Sequence, residues 1–420
     1  MPNRLAKAPM EEVFSTVMGG PPSDTHIELY RRWAQGGWGM VITGNVTVDE
    51  RHLGLPFDVV IPTEDKPRRR ARYAARFRAL AAAIHSGGPP ERRPLAIVQL
   101  NHPGRQSMRG MGRAPWTPAV APSAVPMATG KARALDAAVF GTPRALSEAD
   151  IRDIVARFAS CARFCADAGF DGIELHAAHG YLLSQFLNPR VNQRTDAYGG
   201  SPENRFRIIA EIIDAVRALV PRTFVVGIKL NSGDFVHGGQ TEDDALQNVA
   251  WLAATRAVDF CEISGGSYEN AVFMEGTRSA RREGFFREFA RRCHGVLGDS
   301  RMRVIVTGGF VSRAGMEAAV AAGDADAIGI GRASALDPAL PAHFFARTAD
   351  AAPDWTPTVP RWLPNIPLLG ASWSTLWYAA QLQRVGRRMD PSPHLSMGCY
   401  MCGLLAHALT SLPARLCDRE

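Results

Sequence analysis

Eight short apolar runs recur along the chain, each followed by a stretch with helical periodicity. They cover Arg4–Ala8, Gly39–Gly44, Leu95–His102, Gly172–Ala178, Val225–Asn231, Phe260–Gly266, Arg303–Gly309 and Ala327–Ala333. Apolar residues run on continuously in them instead of alternating with polar ones, the pattern of parallel strands covered on both faces. Between them, Asn204–Val220 sets Phe206, Ile209, Ile213 and Val216 on one helical stripe. Ser147 to Asp150 has the spacing of a capping box and opens a helix through Phe170. Cys161 and Cys165, one turn apart in that helix, read as core fillers rather than redox groups. Strand–helix alternation repeated eight times predicts a single (β/α)8 TIM barrel.

Two segments exceed the repeat. Residues 103–142 are rich in Pro, Gly, Ala and Met without a clear period, and read as a long loop or small lid after strand 3. They belong to a barrel domain spanning 1–345. Residues 346–420 read as a C-terminal extension packed on that barrel, helical around Ser374–Asp390. A chain of 420 residues accommodates this, since such a barrel takes about 250 residues and grows by insertion.

Composition narrows the picture. The net charge of +7 admits anionic partners, but the excess reads as arginines on solvated helix faces. A nucleic-acid role would need a basic extension, and none is evident. Seven cysteines do not suggest a disulfide framework. The start "MPNRLAKAPMEEVF" has no apolar signal core, and no apolar run approaches the roughly 20 residues of a membrane span. The expectation is a cytoplasmic chain acting on a small molecule.

In such a barrel the chemistry sits at the C-terminal ends of the strands. Strand 2 ends at Gly44, and strand 3 in Gln99, Asn101 and His102. Strand 4 carries Glu174 and ends in His176, His179 and Tyr181, and strand 5 ends in Lys229 and Asn231. Gly308 and Gly309 after strand 7, with Gly331 and Arg332 after strand 8, offer backbone N–H groups and a guanidinium to a phosphate. His176 and His179 could be a metal pair, but no second carboxylate cluster accompanies them, and no metal is expected. They could be structural histidines satisfied by neighbours, or donors aimed at a substrate oxygen with Tyr181 as proton source.

"GFDGIELHAAHGYLLSQFLNPRVNQRTDAYGGSPENRFRIIAEII" strongly resembles the strand-4 motif of the old yellow enzyme family, FMN-dependent ene-reductases on a TIM barrel. The resemblance continues in "NRLAKAPM", "VQLNHPGRQS", "VGIKLNSGDF", "VTGGF" and "IGIGRAS" and covers nearly all of residues 3–334. "KLNSGDF" and "HPGRQ" look closest to a fungal and bacterial branch. It implies FMN as cofactor and NADH or NADPH as co-substrate. It lays Ala8, Pro9 and Met10 along the flavin, with Glu11 and Gly44 in the same cofactor set. Gln99 then meets the pyrimidine edge, Lys229 sits near flavin N1 and O2, and Gly308, Gly309, Gly331 and Arg332 form the phosphate cradle. His176 and His179 match the pair that holds the carbonyl or nitro oxygen of an activated alkene, and Tyr181 the tyrosine that protonates its α-carbon.

The chain departs from the family pattern at Glu11, where the family usually has Thr or Cys. A buried carboxylate there opposes flavin reduction and favours its protonated form, so either Glu11 turns away, which is the expectation, or the redox behaviour is unusual. The stretch before Asn3 is short, which leaves open what covers the barrel base. Cys399 and Cys402 lack the further cysteines and nucleotide-binding domains of the iron–sulfur relatives, and are not read as a cluster. A pathway-specific reductase or isomerase and a non-catalytic FMN-binding homologue are the alternatives, and a homo-oligomer is compatible with all of them.

Overall fold

In a computed structural model of the chain the eight runs become β1 (Leu5–Lys7), β2 (Met40–Thr47), β3 (Leu95–Asn101), β4 (Gly172–Ala177), β5 (Val225–Asn231), β6 (Phe260–Ser264), β7 (Arg303–Thr307) and β8 (Ala327–Ile330). The structure describes residues 1–62, 66–129, 133–267, 269, 283–355 and 373–396. All eight strands pair in parallel, and β1 bonds both β8 and β2, which closes the barrel. The (β/α)8 expectation holds.

Side chains alternate across a strand, so the few polar residues within these runs reveal which positions face inward. Going up the strands, Ile97 is followed two residues on by Gln99, Phe260 by Glu262 and Ser264, and Ile305 by Thr307. The lower interior is apolar, built from Ala6, Met40, Ile42, Ile97, Phe260, Ile305 and Ala327. Phe260 fills its centre over Gly227, where an added Cβ would stand 2.1 Å from the phenyl ring. The base is thus closed from within, by the strands' own side chains. Above it the interior turns polar, and there the site begins.

Outside, the helices pack as their stripes demand. Pro202–Leu219 buries Phe206, Ile209, Ile213 and Val216 with Ile208 and Ile212 beside them, a wider stripe than the sequence marked. Glu148–Asp167 starts at Ser147 with both hydrogen bonds of the capping box, and Cys161 and Cys165 are buried in it. Helix Asp24–Gln35 is pinned to the β8 end by two indoles, Trp33 donating to the Ser334 carbonyl at 2.9 Å and Trp38 to that of Pro338 at 2.8 Å. No helix among the described residues is long and apolar enough to cross a membrane.

The 103–142 stretch is more ordered than a long loop. It holds a 3-10 turn (Gly104–Gln106), a short strand (Val120–Ala121) and a helix (Arg133–Val139), with its own cluster of Leu55, Met108, Met127 and Phe140. Buried Arg105 ties it to Glu269 beyond β6 at 3.0 Å. At the other end of the chain, helix Trp373–Gly386 lies against Asp24–Gln35 and the β8 end, with Trp377 buried and Gln383 donating to the Val13 carbonyl at 3.4 Å. Cys399, Cys402 and Cys417 lie outside the described residues.

Candidate active site

Strand register assembles the polar layer. Gln99 on β3 is the direct neighbour of Glu174 on β4, and its Nε2 donates to Glu174 Oε1 at 2.7 Å. Lys229 on β5 is the neighbour of Glu262 on β6, and the two form an ion pair at 2.6 Å, almost wholly buried. Burial, reinforced by the Glu262 charge, holds the Glu174 carboxyl well above the usual range. Glu262 thus pairs with the lysine, while burial favours the neutral form of Glu174. Lys229 and Gln99 both border a large cavity at the C-terminal end of the barrel.

One residue pair higher stand the imidazoles. His176 is the neighbour of Lys229 across β4 and β5. Its Nδ1 accepts from the Ala178 N–H at 3.3 Å. Burial first, then the charges of His179 and Lys229, hold its pKa far below the ordinary histidine value. A neutral ring that accepts at Nδ1 carries its proton on Nε2, the nitrogen available to donate into the cavity. His179 occupies a left-handed backbone position (φ 58°) followed by Gly180 (φ 75°), a turn that brings its ring back over the barrel. Its N–H bonds Asn231 Oδ1 at 3.1 Å, and Nε2 lies 2.8 Å from Ser264 Oγ. Burial depresses the His179 pKa as well. The two rings are 5.2 Å apart, and the Tyr181 ring is 4.6 Å from His176. All three residues wall the cavity.

Glu11 does not turn away. It borders the cavity, and its Oε1 accepts from Tyr181 Oη at 2.5 Å and from Asn45 Nδ2 at 2.7 Å. The residue that turns out of the site is Glu12, buried beneath β2, where it accepts from Tyr30 Oη and the Gly44 N–H. Gly44 stands behind the wall rather than in it. A Cβ there would come within 2.2 Å of the Met10 carbonyl, so the glycine lets Ala8 to Glu12 lie close along β2.

Gly308, Gly309, Gly331 and Arg332 meet at the far end of the same cavity, beside Ala8, Pro9 and Met10. Among the described residues a Cβ at Gly331 would meet nothing but the Met10 side chain, Sδ at 3.9 Å and Cγ at 4.0 Å, so this glycine leaves open space for a ligand. The cavity thus brings together a cluster of glycines with one guanidinium, an apolar wall, and a polar edge made by an amide and an ammonium. That donor set fits FMN, whose phosphate the glycines and Arg332 would hold while Pro9 and Met10 would flank the ring system and Gln99 and Lys229 would meet its pyrimidine edge.

Several wall residues escaped the sequence reading. Asn45 follows a register irregularity between Ile42 and Asn45 on β2, and that bulge carries its amide to the site. The polar residue directly after Gly44 was the available signal. Ser264 ends β6 and was equally visible as a strand-end hydroxyl. Ser374, Thr375, Tyr378, Ala379 and Leu382 close one side from the C-terminal helix, and nothing local marks them. Elsewhere, Asp49, His52 and His102 cluster within 4.8 Å with the composition of a metal site. His102 Nδ1, however, accepts from the Gly104 N–H at 3.0 Å, which puts its proton on the Nε2 that would have to ligate. Asp49 is also taken up by Arg51, at 2.7 Å. The cluster reads as a hydrogen-bonded network in which Asp49, held by Arg51, bonds His52, and burial keeps both imidazoles toward their neutral form.

The NADH:flavin oxidoreductase / NADH oxidase family model matches residues 1–349. The "NADH-dependent flavin oxidoreductase iccE" of Talaromyces variabilis is 38% identical over 413 residues, covering 92% of this chain and 95% of the relative. The corresponding iliE protein of Neonectria sp. (strain DH2) is 42% identical over 358 residues, 81% of this chain but only 45% of that longer protein. Among solved structures, morphinone reductase in complex with tetrahydroNAD superposes with a TM-score of 0.64 at 26% identity, over 84% of this chain and 89% of that one. The chain belongs to the NADH:flavin oxidoreductase / NADH oxidase family, whose FMN-dependent barrel this is.

Proposed function

We propose that the chain is an ene-reductase that uses NADH to reduce the C=C bond of an α,β-unsaturated carbonyl or nitro compound. The observation that carries this reading is the pair of neutral imidazoles beside a phenol over the polar layer of the barrel. His176 and His179 donate to the substrate oxygen and draw electron density from the alkene, and Tyr181 gives the α-carbon its proton. Bound FMN supplies the hydride chemistry between nicotinamide and alkene. Lys229, its charge balanced by Glu262, presents a fixed positive end to the pyrimidine edge. The names of the fungal relatives favour NADH as reductant.

The purified protein is expected to consume NADH with 2-cyclohexenone and to form cyclohexanone in equal amount. NADH consumption without cyclohexanone would reject the alkene as substrate. Because both imidazoles stay neutral, KM for the enone should show no inflection between about pH 6 and pH 8, where an ordinary histidine titrates. Steady-state KM across that range checks it. Gly331→Val fills the open space that the cofactor would occupy, and a clash with it of about 1–3 kcal/mol corresponds to roughly 5- to 150-fold in Kd. Fluorescence titration of the apoprotein with FMN measures the loss.

A further inference from the structure

The roles above leave the Glu11 carboxyl unused, yet it is the hydrogen-bond partner of the phenol they make the proton donor. Glu11 Oε1 lies 2.5 Å from Tyr181 Oη and 2.7 Å from Asn45 Nδ2, and the same Asn45 nitrogen reaches Tyr181 Oη at 3.1 Å. The three polar groups close a triangle at the cavity wall, delivered by the segment after β1, the bulge of β2 and the turn after β4. The charged or titratable groups around it are Glu12 next in the chain, Asp58 close enough for the Glu11 charge to act on it, and the His176 ring 4.6 Å from that of Tyr181. Except for the neutral imidazole, these surroundings are acidic.

We propose that Glu11 is the proton partner of Tyr181: it holds the phenol in place and replaces its proton as that proton leaves. The proposal rests on the ene-reductase reading. As the β-carbon receives a hydride, the electron pair of the alkene takes the Tyr181 proton at the α-carbon. The phenol O–H bond breaks and a C–H bond forms. The Glu11 carboxyl then gives its own proton to Tyr181 Oη and becomes the carboxylate, which recovers a proton from solvent through the cavity. Charge passes to Glu11, where the Asn45 amide and the restored phenol both donate to it, and no phenolate is left facing Glu12 and Asp58. Burial above all, with Glu12 adding to it, raises the Glu11 pKa against the two hydrogen bonds that lower it, in the direction a carboxylic acid with a proton to give requires. Glu11 acts through Tyr181, so it is a positioning residue.

The test is Glu11→Gln, which keeps an acceptor at Oε1 and removes the proton. Stopped-flow traces of the FMN-loaded protein separate reduction by NADH from reoxidation by 2-cyclohexenone. Reoxidation is expected to slow about 10²-fold, the lower end of the range for proton transfer by a placed group, while reduction changes far less. In the wild-type protein reoxidation should fall as pH rises through the Glu11 titration, and in Glu11→Gln that inflection should vanish. Infrared difference spectra, with Glu11→Gln as blank, should place the carboxyl titration above the usual glutamate value of about 4.3. A Glu11→Gln protein that reoxidises at the wild-type rate with the wild-type pH profile, or a carboxyl that titrates at or below the usual value, overturns the proposal while the ene-reductase reading stands. A wild-type protein that accepts electrons from NADH but never returns them to the enone rejects both.

Discussion

Tyr181→Phe should slow reoxidation of the reduced protein by an enone by about 10²- to 10⁴-fold, the usual worth of a placed general acid, and leave reduction by NADH nearly unchanged. The phenol is the group with a transferable proton beside the His176 ring, and Phe keeps the ring contact while removing that proton. Half-reactions followed in the flavin band separate the two steps. The same variant also breaks the Glu11–Tyr181 hydrogen bond, so its flavin content must be measured alongside. Equal slowing of both half-reactions would mean that Tyr181 shapes the cavity instead of donating to substrate.

A chain ended at Trp355 is expected to lose FMN binding altogether. The helix Trp373–Gly386 is a wall of the cavity: Ser374, Thr375, Tyr378, Ala379 and Leu382 face it, while Trp377, only 2% exposed, packs behind. Removing it uncovers Leu336 and the apolar flank of Asp24–Gln35 and opens the flavin side of the cavity to water. The exposed bridges Arg32–Asp390 and Arg388–Glu28 contribute little, about 0–1 kcal/mol each. The apolar contacts carry the attachment, so Trp377→Ala alone should cost about 3–5 kcal/mol. Flavin content after gel filtration and the thermal midpoint of each variant check both statements. A truncated protein that still holds stoichiometric FMN would show the helix to be dispensable.

The fold could be read from the sequence because a parallel barrel writes itself as continuous apolar runs. Polar residues near the ends of those runs, such as Gln99, Glu174, His176 and Lys229, stand out because nothing else places a charge or amide inside a buried strand. The site was legible only as far as strand ends supply it. Asn45 depends on a bulge, which periodicity does not show. The C-terminal wall depends on contacts across hundreds of residues of chain. Glu11 and Glu12 illustrate the limit most plainly. They are adjacent and chemically alike, and only tertiary structure decides that Glu11 faces Tyr181 while Glu12 bonds Tyr30 and Gly44. The expectation that Glu11 avoids the cavity followed from the cost of a charge beside a flavin, and a carboxyl able to keep its proton removes that objection.

The most direct test of the account is the visible spectrum of the purified protein under anaerobic conditions, recorded first with NADH and then after adding 2-cyclohexenone. The account predicts a flavin band that bleaches with NADH and returns in full with the enone. A band that bleaches and stays bleached until oxygen is admitted would contradict it, since the imidazoles and the phenol would then not serve an alkene.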